Sequence, residues 1–156
     1  MINLPDTFKL VFKCKAGSHL YGTNTPLSDV DYRGVFIPDE RYFYGCILST
    51  EQFEDKKNDE IYFEIRKFMR LAMDNNPNII ELLFVPRNMW EVATYEWQVI
   101  CNHKKLFLSK KAKHTFLGYA HSQFKRIKTH RNWLLNPPTK KPEPEDYGLI
   151  RETLMS

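Results

Sequence analysis

The stretch Ala16-Gly-Ser-His-Leu-Tyr-Gly-Thr-Asn-Thr-Pro-Leu-Ser-Asp-Val-Asp-Tyr-Arg-Gly-Val35 decides the fold. Before it, Phe8 to Cys14 alternates, with apolar side chains at Phe8, Leu10 and Phe12, and this period of two predicts a strand begun after Pro5. Gly17-Ser18 breaks that strand. His19 to Gly22 has room only for a short helical turn, and Asn24, Pro26 and Ser28 supply turn chemistry. Asp29 to Ile37 reads as a second strand, stopped by Pro38. Asp29 and Asp31 are two residues apart on it, so their carboxylates leave one face about 7 Å from each other. Hard oxygen donors so placed suit a divalent cation. The short interval from Ser18 to Asp29 lets the chain bring the Gly17-Ser18 corner back beside the acids. Free backbone N–H groups and the Ser18 hydroxyl at such a corner can cradle a phosphate.

Further along, residues 38–58 carry no clear period, and Tyr42 to Leu48 fits a strand or an ordered loop. A helix capped by Asn58 or Asp59 is predicted next, with Ile61, Ile65, Phe68 and Ala72 inward and Arg66, Lys67 and Arg70 outward. Asn75-Asn76-Pro77-Asn78 ends it. Ile79 to Val85 is a nearly continuous apolar run before Pro86, the pattern of a central strand buried on both faces. Glu81 lies inside that run, where a charge is costly unless paired or metal-bound. This makes Glu81 the third acid beside Asp29 and Asp31. Asp59 competes for that role, although its simpler reading is the N-cap of a helix starting near Glu60. Three carboxylates could hold two Mg²⁺ (or Mn²⁺) ions about 3.5–4 Å apart, the clamp used for in-line phosphoryl displacement.

Glu91 to Leu108 is expected to be helical, with Trp90, Ala93, Trp97 and Ile100 on one side. A further helix is expected from about Lys110 to Leu135, with an apolar stripe of Phe116, Ala120, Phe124, Ile127 and Leu134 and with Lys111, His114, His121, Lys125 and Lys128 on another face. Pro137-Pro138 ends it. The organisation expected is one domain over residues 1–136, including a basic helical segment at 98–135, then a Pro-rich linker or tail at 137–156.

Charge is segregated along the chain. Residues 1–96 hold eleven Lys and Arg against fifteen Asp and Glu, whereas eleven Lys and Arg and no acid lie between Glu96 and Glu143. That asymmetry points to a polyanion, and Lys111, Lys125, Arg126, Lys128 and Arg131 are the residues expected to hold a nucleic-acid backbone, with Tyr119 or Trp133 available for stacking. His114 and His121 stand about 10 Å apart on a helix, too far to share one zinc. His19, next to the Gly-Ser corner, fits a satisfied local hydrogen bond or a phosphate contact. The 156 residues are 42% hydrophobic and 14% aromatic, too apolar for a disordered chain. A mean hydropathy of −0.51 and the lack of any apolar run near 20 residues argue against a membrane span. Three scattered cysteines, Cys14, Cys46 and Cys101, suit a reducing, cytoplasmic setting better than a disulfide scaffold.

The quoted stretch resembles the G-S-x-x-x-G…S-D-x-D signature of DNA polymerase β-like nucleotidyltransferases. Tyr62, Arg66-Lys67-Phe68, Leu71, Asn76-Pro77-Asn78 and Glu81-Leu82-Leu83 narrow the resemblance to the RlaP-type, RNA-repair-pathway family. It is strongest over residues 16–86. The resemblance implies a mixed α/β nucleotidyltransferase fold, a small mixed sheet flanked by helices. It also implies transfer of a nucleoside monophosphate from an NTP to a hydroxyl with release of pyrophosphate. By this match Gly17 and Ser18 bind the nucleotide phosphates, Asp29 and Asp31 bind the metals, and Glu81 stands where the wider superfamily often carries Asp. RNA or tRNA is the leading acceptor. A protein hydroxyl, or a binding module without turnover, are the alternatives. The family often continues into further helical sequence, so this chain corresponds to a short version or a fragment.

Overall fold

The expected first strand forms as β1, Lys9–Lys15. A bulge between Leu10 and Phe12 shifts its phase, so Phe8 and Leu10 join one apolar cluster while Phe12 and Cys14 join the other, across the sheet. A single-faced alternation becomes a strand that contributes to both cores. The helical turn α1, Gly17–Tyr21, follows and is closed by Gly22 at φ 67. Strand β2, Tyr32–Ile37, pairs antiparallel with β1. It starts three residues later than the alternation suggests, so Asp29 and Asp31 lie in the lead-in to β2 rather than within it.

A short helix α2, Arg41–Tyr44, and strand β3, Gln52–Asp55, come next. The computed structural model describes residues 2–44 and 50–137. The later part of the Tyr42–Leu48 reading, Cys46, and the tail from residue 138 lie outside the described residues.

Three segments differ from expectation. The helix predicted from Asn58 or Asp59 is a strand and a helix in direct succession: β4, Glu60–Glu64, then α3, Ile65–Met73. Its apolar residues fit the helical period by coincidence, because Glu60 to Glu64 buries alternate positions against neighbouring strands. The true N-cap is Glu64, whose carboxylate accepts from the Lys67 N–H at 3.1 Å. The predicted strand Ile79–Val85 is mostly helix α4, Pro77–Phe84. Asn76 caps it by accepting from the N–H groups of Asn78 and Ile79, and Pro77 sits where its missing N–H costs nothing. Ile79, Ile80, Leu82 and Leu83 are all buried, and a helix covered on most sides reads as an unbroken apolar run. Glu81 is therefore carried by a helix, not by a strand. The predicted helix Glu91–Leu108 begins instead as edge strand β5, Trp90–Ala93, followed by α5, Tyr95–Asn102. A 3-10 turn at Lys104–Phe107 leads to α6, Lys111–Leu135, as expected.

The sheet has the order β3-β4-β2-β1-β5. Among the described residues only the β2–β4 pairing is parallel, with Tyr32 opposite Glu60. This is the mixed α/β architecture the sequence implies. The larger core includes Phe12, Phe68 and Leu83 around Trp97. Phe12 and Trp97 stack with centroids 3.9 Å apart. The smaller core, across the sheet, holds Phe8, Phe36 and Tyr62.

Asn75, fully buried and at φ 54, locks the α3–α4 turn. Its amide donates to the Phe107 carbonyl at 2.8 Å and its Oδ1 accepts from the Ser109 N–H at 3.0 Å. The Thr115 hydroxyl donates to its carbonyl. The chain divides into two units, Met1–Phe116 and Leu117–Ser156. The described part of the second is the remainder of α6 and the two residues after it, where Phe124, Ile127, Trp133 and Leu134 are exposed. Among the described residues no helix is long and apolar enough to cross a membrane.

Candidate functional site

The site grows from the corner between β1 and α1. Ala16 donates its N–H to the Asp31 carbonyl at 2.9 Å, which extends the β1–β2 ladder and holds the corner against the lead-in to β2. Gly17 adopts φ +57, and a Cβ added there would lie 1.9 Å from Asp31 Oδ2. Both facts require glycine: the left-handed backbone disfavours a side chain, and the Asp31 carboxyl occupies the space one would need. Beyond the corner, the Ser18 carbonyl accepts from the Thr23 N–H. Ser28 accepts from the Thr25 N–H at 2.9 Å, so the loop between α1 and the acids is internally bonded.

The second side of the site is the β3–β4 turn. Because β4 runs parallel beside β2 with Tyr32 opposite Glu60, Asp59 arrives next to Asp31. Asp59 sits at φ 44. Its carbonyl accepts from the Tyr32 N–H at 3.1 Å and from Arg33 Nη1 at 2.7 Å, and its Oδ1 accepts from Arg33 Nη2 at 3.1 Å. Arg33 Nη1 also donates to the Tyr32 carbonyl. One guanidinium thus fixes both the backbone and the carboxylate of Asp59.

The electrostatics follow from this crowding. Burial holds the Asp31 carboxyl above the usual carboxylate range, and the neighbouring Asp59 and then the Asp29 charge push the same way, against the pull of Arg33. Asp29, Asp59, Lys56, Lys57 and Asn58 line a cleft of about 490 Å³, with Val30, Tyr32 and Glu60. Asp59 and Asp29 therefore both act on Asp31, and Gly17 packs against it.

Glu81 lies half-buried on α4, its carboxyl pushed up by burial, and among the described residues it forms no ready three-acid metal group with Asp29 and Asp31. Its charge reaches Cys14, where burial first, and then Glu91 and Glu81 against Arg33, raise the thiol to about 12. His19 has its Nε2 buried without a hydrogen-bond partner among the described residues, in place of a satisfied local bond. Of the basic residues on α6, Lys111 pairs with Asp74, while Lys125, Arg126, Lys128 and Arg131 are exposed.

Sequence reasoning missed Arg33, Lys56 and Lys57. Arg33 had a signal: on an extended segment residues 29, 31 and 33 share a face. The two lysines had none, because their position depends on a parallel pairing that local sequence does not encode.

Whether these residues fit a magnesium ion can be judged from the donor set. Among the described residues no three His, Cys, Asp or Glu side chains stand together as a ready cage. Magnesium commonly takes one or two carboxylates and completes its shell with water and substrate phosphates. Asp31 and Asp59, near enough for the charge of one to act on the other, supply that pair of hard oxygen donors, and the donor set fits.

The five-stranded mixed sheet with its flanking helices is consistent with a nucleotidyltransferase-like fold of the polymerase β type. The chain belongs to the RNA repair pathway DNA polymerase beta family, RlaP, whose family model matches residues 2–140. It is 30% identical over 128 residues to an uncharacterized 38.9 kDa protein of Enterobacteria phage T4, covering 74% of this chain and 38% of that protein. It is 32% identical over 122 residues to an uncharacterized protein of Methanocaldococcus jannaschii, covering 70% of this chain and 46% of that one. Protein YcgL of Bacillus subtilis, also uncharacterized, is 27% identical over 78 residues, 48% of this chain and 30% of its own length. The chain thus spans less than half the length of these relatives. No solved structure matches it.

Proposed function

We propose that this chain transfers a nucleoside monophosphate from an NTP to a hydroxyl acceptor, RNA or tRNA first among them, and releases pyrophosphate. The observation that carries this reading is the placement of the Asp31 carboxyl, against Gly17 on one side and near the Asp59 carboxylate on the other. A phosphate held at the Gly17-Ser18 corner would lie next to those acids.

Asp31 and Asp59 would hold magnesium, with Asp29 adding charge at the cleft, and Asp59 takes the place first given to Glu81. Magnesium, when bound, supplies charge neutralisation for the phosphates and lowers the pKa of the attacking hydroxyl. The chain's own contribution is positional. Gly17 leaves room for the Asp31 carboxyl, the Arg33 guanidinium fixes Asp59, and the Gly17-Ser18 corner orients the phosphates of the NTP. The exposed cations Lys125, Arg126, Lys128 and Arg131 on α6 are the proposed contacts to an acceptor backbone in the second unit. A reducing, cytoplasmic setting belongs to the same proposal, supported by the free, buried thiols of Cys14 and Cys101.

The test is incubation with Mg²⁺, labelled NTPs and short RNA acceptors. Wild type should label an acceptor and Asp31→Asn should not. Equal labelling by both, or none by either with any NTP, would refute the reading.

A further inference from the structure

The β3–β4 turn, residues 55–59, carries two cations at the edge of the acidic cleft. Its Asp55 carboxylate accepts from the N–H groups of Lys57 and Asn58 and from the Asn58 side-chain amide, at 3.0, 3.3 and 2.6 Å. Its Asp59 carboxylate accepts from Arg33. The Asp55 carboxylate is thus engaged in holding the turn's shape, and one Asp59 oxygen is engaged by Arg33. The two ammonium groups are exposed, line the same cleft as Asp29 and Asp59, and form no ion pair among the described residues.

Cations beside acids usually pair with them, since the attraction at a protein surface is favourable at short range. Here two lysines share a cleft with Asp29 and Asp59 and bridge to neither. An anion entering the cleft would find two ammonium groups ready, with no internal ion pair to break. The Gly17-Ser18 corner packs on Asp31 and is the place proposed for the NTP phosphates. The lysines line the cleft of Asp29 and Asp59.

We propose that Lys56 and Lys57 hold the sugar–phosphate backbone of a single-stranded nucleic-acid acceptor as its terminal hydroxyl enters the cleft. This assignment rests on the nucleotidyltransferase reading and adds a binding surface to it. Nucleic acid is favoured over a protein acceptor because the contacts offered are two adjacent point charges, with only Val30 and Tyr32 as large apolar or aromatic neighbours in the cleft lining. Two point charges suit a regular polyanion.

The experiment measures binding of a fluorescent single-stranded RNA oligonucleotide, and separately of Mg²⁺–ATP, to the full chain as wild type, as a Lys56→Gln/Lys57→Gln double variant and as a Lys56→Arg/Lys57→Arg double variant. Two lost phosphate contacts on a single strand should make the plot of log K against log salt shallower by about 1.4. RNA affinity at low salt should fall roughly tenfold for the glutamine variant, with the arginine variant near wild type and ATP affinity unchanged. An unchanged salt slope would overturn the proposal. So would a loss of ATP affinity with RNA binding intact, which would assign the lysines to the triphosphate. A protein acceptor modified equally fast by wild type and the glutamine variant would overturn it too. Failure of the enzymatic reading is separately visible: absence of NTP-dependent labelling by wild type would leave the lysine-dependent RNA binding to be measured by itself.

Discussion

The Asp31 carboxyl occupies the space that a side chain at residue 17 would need, with Oδ2 only 1.9 Å from the position of a Gly17 Cβ. The Gly17 corner and the acid are thus one packed unit. Gly17→Ala should lose about 2 kcal/mol of stability or more, from the left-handed backbone and the clash together, and should lose NTP-dependent labelling with it. Gly22 is the control. It has a similar φ of +67 and nothing within 4 Å of an added Cβ. Gly22→Ala should cost roughly 1 kcal/mol and keep activity. Urea denaturation of both variants, read beside labelling, separates the backbone effect from the contact.

Arg33 should act as a positioning residue for Asp59. Removing its fork in Arg33→Gln frees both the Asp59 carbonyl and its carboxylate. Affinity for Mn²⁺, measured by electron paramagnetic resonance of the free ion, should fall about tenfold or more. Arg33→Lys should recover only part of it, because an ammonium cannot reproduce the planar fork. Unchanged Mn²⁺ binding in Arg33→Gln would show that Asp59 needs no such support.

The crowding at Asp31 has a cost in stability whose sign can be worked out. Its folded-state pKa lies above the ordinary 3.8, with burial as the first cause and Asp59 as the next. From 3.8 up to the raised value the folded state binds more protons than the unfolded one, so stability falls as pH rises through that window. Above the window the full penalty persists. Asp31→Asn removes it, so this variant should melt at a higher temperature than wild type at neutral pH. The difference should shrink as pH is lowered through the window. Calorimetric melting curves at several pH values check both statements.

Asn75 should matter to stability far more than to chemistry. Asn75→Ala leaves the Phe107 carbonyl and the Ser109 N–H without their partner, which should cost on the order of 3 kcal/mol. Asn75→Gly, which relieves the backbone at φ 54, should remain well below wild type because the hydrogen bonds are still missing. A denaturation midpoint equal to wild type in the glycine variant would show that the turn is held by conformation alone.

How far the sequence reveals this protein differs from segment to segment. The β1–α1–β2 unit is legible because its breaks, Gly17, Gly22 and Pro38, are chemical punctuation. The helix α6 is legible because twenty-five residues of it contain no proline. What misleads is burial without contrast. Helix α4 hides Ile79, Ile80, Leu82 and Leu83 together, so its run looks like a strand, although Asn76-Pro77 is as good a helix start as it is a helix end. Strand β4 passes into α3 with no turn between them, and the merged apolar pattern makes Asp59 look like a cap. The error carries into the site. Once Glu64 is the cap, Asp59 is released to stand beside Asp31. That neighbour relation comes from the parallel β2–β4 pairing, a long-range choice that no local window contains.

The central claim, that Asp59 rather than Glu81 completes the acidic group around Asp31, is tested most directly by comparing Asp59→Asn with Glu81→Gln in the Mg²⁺-dependent labelling of an RNA acceptor by NTP. The account predicts a loss of about a hundredfold or more for Asp59→Asn and a rate within a few-fold of wild type for Glu81→Gln. Full activity in Asp59→Asn together with loss of activity in a folded Glu81→Gln would contradict it.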